Sequence, residues 1–303
     1  MEIVEFDPRR DEPDEESESL PCAAWNRSGS THPIVTLRTS GRELHHYHRL
    51  ARALGPDQPL YSLGHCVGTS SEPVPDSQDK WATHFVGLLG ELDLGDNLIL
   101  GGWSNSGIVS LDVAHRLAQL GRPPAVVVLF DSRRPRPDTE GRRVWAKWTG
   151  ENLVNWACSP TKEERRALVR YKTTQPLNKL RDRLGERIRV WRHPDAAPSA
   201  QRFRGHHRTD DPLILANRRV YRSWTPRLFD VPTIQLWTGL TRTRLDGDAA
   251  QGMTSLLVGP YVQLKVPGDH HSMWESPHVD VLADQVNLGL VAISVVTADV
   301  PPA

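Results

Sequence analysis

The chain has no charge of one sign to spare, few cysteines and no unbroken apolar stretch of membrane-spanning length. Its 37 Lys and Arg side chains balance 37 Asp and Glu, for a formal net charge of zero. The totals therefore supply no field that would draw the protein to nucleic acid or to an acidic membrane surface. Three cysteines occur, Cys22, Cys66 and Cys158; an odd number at wide spacing argues against a disulfide framework or a zinc knuckle and suits reduced thiols. No run reaches the roughly 18 apolar residues of a membrane span. The amino end lacks the cationic start and apolar core of a signal peptide. No internal repeat is found. A soluble cytoplasmic protein is expected, with neither nucleic acid nor membrane as partner.

Histidine is the residue that clusters, as "HHYH" at 45–48 and as pairs at 206–207 and 270–271. These spacings match no zinc or iron pattern, so no metal is expected. His45 and His48 are expected on the solvated face of a helix.

Residues 1–30 are expected to form a disordered acidic leader or linker. Residues 1–19 carry nine acids against two arginines, with too little apolar surface to order themselves. An alternating pattern follows. Ile34, Val35 and Leu37 mark a buried strand over 34–38, and "ELHHYHRLARALG" repeats Leu44, Tyr47, Leu50, Ala51 and Leu54 at helical spacing with Gly55 as its stop. Strand 59–63, helix 79–92, strand 97–101, helix 104–120 ending at Gly121, and strand 125–130 continue it. Such alternation predicts a mostly parallel central sheet with helices on both faces.

From 133 to 227 the sequence turns helical and Arg-rich, with 24 Arg or Lys against 10 Asp or Glu. An inserted helical lid over 133–227 is expected. Trp145, Trp148 and Trp156 are read as its core and as candidates to line an apolar channel. Strands resume at "VPTIQLW" and "YVQLKV", and a last helix is expected over 276–290. The core is thus assigned to 31–132 and 228–292, with a tail at 293–303.

Residues 98–107 read "LILGGWSNSG": an apolar strand that runs into glycines, presents Ser104, and leaves as a helix. Such a turn holds its serine outward at the carboxyl edge of the sheet, with small neighbours because the backbones crowd there. The helix start supplies unpaired N–H groups and a positive dipole end, and the N–H of Asn105 is a candidate oxyanion donor. A serine hydroxyl needs a base within reach and an acid to orient that base. Asp131 ends the next strand, "VVVLFDS". His270 lies in the loop of "LKVPGDHHSMWESP" after the final strand. The chain order Ser, Asp, His is that of the α/β-hydrolase fold. Asp246 or Asp248 are alternatives for the acid, and His271 for the base.

These stretches resemble the thioesterase domains that end polyketide and nonribosomal peptide assembly lines. The likeness rests on "LGGWSNSG", on "VVVLFDS" with 27 residues from serine to aspartate, on "VPGDHHSMWESPHVDVLA", and on the opening "PIVTLRTSGRELHHYHRLARALGPDQPLYSLG". It covers about residues 33–290. The resemblance implies Ser104 as nucleophile, His270 as general base, Asp131 as the orienting acid, and the backbone N–H groups of Asn105 and Ser40 as the oxyanion hole. The family usually reads GWSxGG, where this chain has Ser106 for the first of the paired glycines. The family's first loop usually reads HPAGG, against Arg38-Thr39-Ser40-Gly41-Arg42 here; Arg42 is then a cation facing a polar substrate.

The function implied is transfer of an acyl or peptidyl chain from a carrier-protein phosphopantetheine thioester to Ser104. Release follows by hydrolysis or by intramolecular cyclisation. No cofactor is implied beyond the phosphopantetheine arm of the acyl or peptidyl carrier, which the basic excess of the lid would steer. The alternatives are a stand-alone editing thioesterase that clears aberrant acyl groups from carriers, and a noncatalytic relative that docks carriers.

Overall fold

A computed structural model describes residues 1–14, 16–39, 43–65, 74–95, 97–134, 220–221, 224–238 and 252–298. The chain divides into two compact units, one of residues 1–141 with 212–303, the other of residues 142–211. All the described residues belong to the first.

Among the described residues, eight strands form one sheet: β1 (Val4–Glu5), β2 (Cys22–Trp25), β3 (Ile34–Arg38), β4 (Leu60–Gly64), β5 (Ile99–Trp103), β6 (Val126–Phe130), β7 (Thr233–Thr238) and β8 (Tyr261–Val266). Their order is β1-β2-β4-β3-β5-β6-β7-β8. β3 to β8 run parallel, and β2 joins β4 antiparallel. The α-helices whose bounds fall within the described residues are α1 (Leu44–Leu54), α2 (Gln78–Gly90), α3 (Asn105–Gln119) and α4 (His278–Ala298).

The apolar runs of the central strands are buried on both faces, as crossover helices require. Along β6, Val126, Val128 and Phe130 join Leu44, Tyr47 and Leu50 of α1 and Leu282 and Val286 of α4 in one core. Val127 and Leu129 join Trp81 and Phe85 of α2 and Leu111 and Val113 of α3 in the other. The two-residue period of the strand thus feeds two cores. Gly55 ends α1 at φ 86°, a conformation open to a residue without Cβ.

Three expectations change. The acidic leader has a place in the fold. Phe6 stacks on Trp25 at 5.9 Å, and its N–H donates to the Ala24 carbonyl at 2.9 Å. The Glu18 carboxylate accepts from the Leu44 N–H at 3.1 and 3.2 Å, where a helix start favours negative charge. The buried Arg38 guanidinium donates to the carbonyls of Glu18 at 2.7 Å and Leu20 at 2.5 Å. Charge density had hidden these few specific anchors.

His48 is buried rather than solvated, because its Nδ1 accepts the Trp25 indole N–H at 3.1 Å. The last helix runs to Ala298, past the expected end at 290, since Ile293 continues its buried face. At that length α4 is long and apolar enough to cross a membrane. In the fold it packs on β7, β8 and α1. Gly289 lets it close on the sheet, where a Cβ would come within 2.8 Å of the Ile234 side chain.

Candidate active site

β5 enters the site through Gly101, Gly102 and Trp103, and α3 leaves from Asn105. Ser104 between them takes φ 55° and ψ −117°, so the strand-to-helix turn is sharp and strained. Its tightness requires glycine on either side. A Cβ on Gly102 would lie 2.5 Å from the carbonyl carbon and oxygen of Ser106, and one on Gly107 would meet Ser132 Oγ and lie 2.7 Å from the Gly102 oxygen. The Ser104 side chain makes no capping hydrogen bond to α3. The residue is half-buried, beside the amino end of the helix that opens at Asn105.

Parallel pairing sets the acid next to the serine. Trp103 registers with Phe130, and the Ser104 N–H donates to the Phe130 carbonyl at 2.9 Å. The following residue, Asp131, is fully buried at φ 46°. Its N–H donates to the Leu236 carbonyl at 2.7 Å, and its Oδ1 accepts the Thr238 N–H at 3.0 Å. Oδ2 lies 2.7 Å from His270 Nδ1. Burial alone pushes the Asp131 carboxyl up. The hydrogen bond and charge of His270, the charge of Arg133 and the Thr238 N–H outweigh it and hold the carboxyl well below the usual carboxylate range. An ionised carboxylate only accepts, so Nδ1 carries the proton and Nε2 is left as the basic nitrogen.

The His270 loop is set by its own turn chemistry. Asp269 Oδ1 accepts the N–H groups of His271 and Ser272, each at 2.9 Å, and the Ser272 Oγ accepts the Asp269 N–H at 2.8 Å. Trp103 then joins loop to elbow. Its indole N–H donates to the His270 carbonyl at 3.1 Å, and its ring is 4.7 Å from the imidazole. His271 is exposed, its ring 5.4 Å from the same indole and 5.3 Å from the His270 ring; the Asp131 pair is made by His270.

No protein-family model matches the chain. A 109-residue stretch is 32% identical to part of the nonribosomal peptide synthetase imqB of Aspergillus flavus, which covers 35% of this chain and 3% of that protein. Among solved structures, the NocB thioesterase domain from the nocardicin cluster overlays with a TM-score of 0.57, at 21% identity over 89% of this chain and 98% of that one. The thioesterase domain that cyclises the lipopeptide surfactin overlays with a TM-score of 0.54, at 12% identity over 91% and 98%. The chain has the α/β-hydrolase fold of these thioesterase domains. A four-domain nonribosomal peptide synthetase matches with a TM-score of 0.60, at 18% identity over 88% of this chain and 20% of that one.

On this α/β-hydrolase fold Ser104, Asn105, Asp131 and His270 stand at one carboxyl edge of the sheet. Ser40, Arg42, Trp145, Trp148, Trp156, Asp246 and Asp248 lie outside the described residues, as does most of the expected lid. Several contributors went unread in the sequence. Tyr47 Oη accepts the Trp103 N–H at 3.1 Å and donates to the Leu37 carbonyl at 3.3 Å; its helical spacing marked it only as core. His46 is buried, stacked on Trp274 at 5.3 Å and edge-on to Trp103 at 4.8 Å. Burial, with the neighbouring His45, His271, Arg49 and His270 charges, pushes its pKa well down, so it packs as a neutral ring. Ser106 does not overfill the turn. It is fully buried and hydrogen-bonded to Thr39 and Glu43.

Proposed function

We propose that the chain is a serine thioesterase that takes an acyl or peptidyl group from the phosphopantetheine thioester of a carrier protein and releases it. The observation that carries this reading is the 2.7 Å contact between His270 Nδ1 and the buried Asp131 carboxylate, made at the sheet edge where Ser104 occupies its strained turn.

In the first step Ser104 Oγ attacks the thioester carbonyl while His270 Nε2 takes its proton. The N–H groups of Asn105 and Ser40 receive the oxyanion. Collapse breaks the carbon–sulfur bond, and the pantetheine thiol leaves with the proton held by His270. In the second step water, or a hydroxyl or amine of the acyl chain itself, gives its proton to His270 and attacks the acyl-enzyme. A free acid, lactone or lactam is released and Ser104 is restored. Asp131 holds the imidazole tautomer and offsets the positive charge that forms on it. The reaction as written calls on no cofactor beyond the carrier's phosphopantetheine, and Arg42, Trp145 and Trp148 are kept from the sequence as candidates for substrate contact.

The ordered pair of Asp131 and His270 favours catalysis over a noncatalytic carrier-docking role. A fluorophosphonate probe tests this: it is expected to add one phosphonyl group to the wild type and none to Ser104→Ala. Wild-type protein that takes no label rejects the reading. Mass spectrometry of products from a panel of acyl thioesters then separates hydrolysis from cyclisation.

A further inference from the structure

We propose that Ser106 is a positioning residue for this chemistry: its hydroxyl ties the end of β3 and the start of α1 to the nucleophile turn. The inference rests on the acyl-transfer reading above. Ser106 Oγ, two residues after Ser104, accepts the Thr39 N–H at 3.2 Å and lies 2.9 Å from Thr39 Oγ1. It lies 3.2 and 3.1 Å from the two Glu43 carboxylate oxygens. The single Ser106 proton goes to the carboxylate, which only accepts, so the Thr39 hydroxyl donates to Ser106. One hydroxyl therefore makes three hydrogen bonds, to groups that are themselves buried: Thr39 is 0% and Glu43 3% exposed.

Both residues held by Ser106 lead back to the site. Thr39 directly follows β3. Glu43 is the N-cap of α1, and its carbonyl accepts the N–H groups of His46 at 3.1 Å and Tyr47 at 3.2 Å. Tyr47 in turn fixes the Trp103 N–H, adjacent to Ser104. The cluster thus joins three separate elements at a spot where steric fit alone would be met by the glycine of the GWSxGG pattern. Glycine there removes all three bonds while leaving the turn room to form. A polar tie at this point sets the elbow against the β3–α1 connection instead of merely filling space.

The test compares wild type, Ser106→Ala, Ser106→Gly, Ser106→Thr and Glu43→Gln in the full chain. Active sites are titrated with fluorophosphonate, and acylation is followed with the N-acetylcysteamine thioester of octanoate. The acylation rate per titrated site is expected to fall about 10- to 100-fold in the Ala and Gly variants, with KM within about twofold. Ser106→Thr and Glu43→Gln, which keep a hydroxyl and an acceptor, recover most of it. Amide exchange over 43–47 is expected to rise in the Ala and Gly variants while α3 beyond its first turn is unchanged. A packing role alone would lower melting temperature and titrated fraction but not the rate per site. Unchanged rates per site in both Ala and Gly variants overturn the positioning role alone. Absence of label in the wild type overturns the acyl-transfer reading and the positioning role with it.

Discussion

Ser104 and Asp131 hold φ at 55° and 46°, and Asn26 is the third non-glycine residue with positive φ among those described. Strain of this kind costs on the order of 1–3 kcal/mol per residue and persists where the surroundings over-determine it. Here the Phe130 and Leu236 carbonyls fix both backbones. Asp131→Asn keeps an acceptor for the Thr238 N–H but favours the wrong imidazole tautomer, so kcat is expected to fall about 10³- to 10⁴-fold, read on an ester or thioester substrate. The Asp131 carboxyl is held low, so the stability it contributes is complete above the ordinary carboxylate pKa of about 3.9 and is lost as pH falls. The stability gap between wild type and Asp131→Asn is therefore expected to narrow in acid, as followed by urea unfolding. Ser104, Asp131 and His270 were legible because each follows a strand within a short pattern. His48 and Ser106 were not, since their burial depends on Trp25, 23 positions away, and Glu43, 63 positions away.

At the scale of the element, β5 and α3 approach each other through glycine. The contacts of an added Cβ rank the neighbouring positions. On Gly101 it would lie 3.1 Å from the Val128 oxygen and 3.2 Å from a Phe130 ring carbon, against 2.5 Å from the Ser106 backbone for Gly102. Gly102→Ala is expected to destabilise by about 1–3 kcal/mol and Gly101→Ala by less; thermal unfolding of the two variants checks the order. The strands and helices around this turn were readable because their apolar periods of 2 and 3.6 are local. β1 and β2 were not. β1 has only two residues, and β2, Cys22–Trp25, carries two alanines that show no strand preference. Pairing with β4 is what makes β2 a strand.

Across the whole molecule, a buried carboxylate gathers segments that the chain keeps apart. Asp112 of α3 accepts from Gln78 Nε2 of α2 and from the Trp224 indole N–H at 3.3 Å, and Arg227 Nε lies 3.6 Å away. Burial pushes its pKa from 3.8 up to about 6, against the pull of Gln78, Arg227 and Trp224. A raised carboxyl pKa means that the folded state holds the proton more tightly. Its stabilising contribution is therefore full below pH 3.8 and is lost as pH rises through about 6. The shift corresponds to at most about 3 kcal/mol. Asp112→Asn has no such proton to lose, so its stability relative to wild type is expected to improve between pH 4 and pH 7, measured by denaturant unfolding across that range.

What the sequence by itself determined was the parallel α/β core and that Ser104, Asp131 and His270 follow strands at its carboxyl edge. Those signals are local, each a strand with the turn that ends it. Only the tertiary structure decided which buried polar groups meet: Asp131 with His270 rather than His271, Trp103 with the His270 carbonyl, Ser106 with Thr39 and Glu43, and Glu18 with the start of α1. A buried hydrogen bond is specified by two partners at once, and their separation along the chain carries no periodic trace.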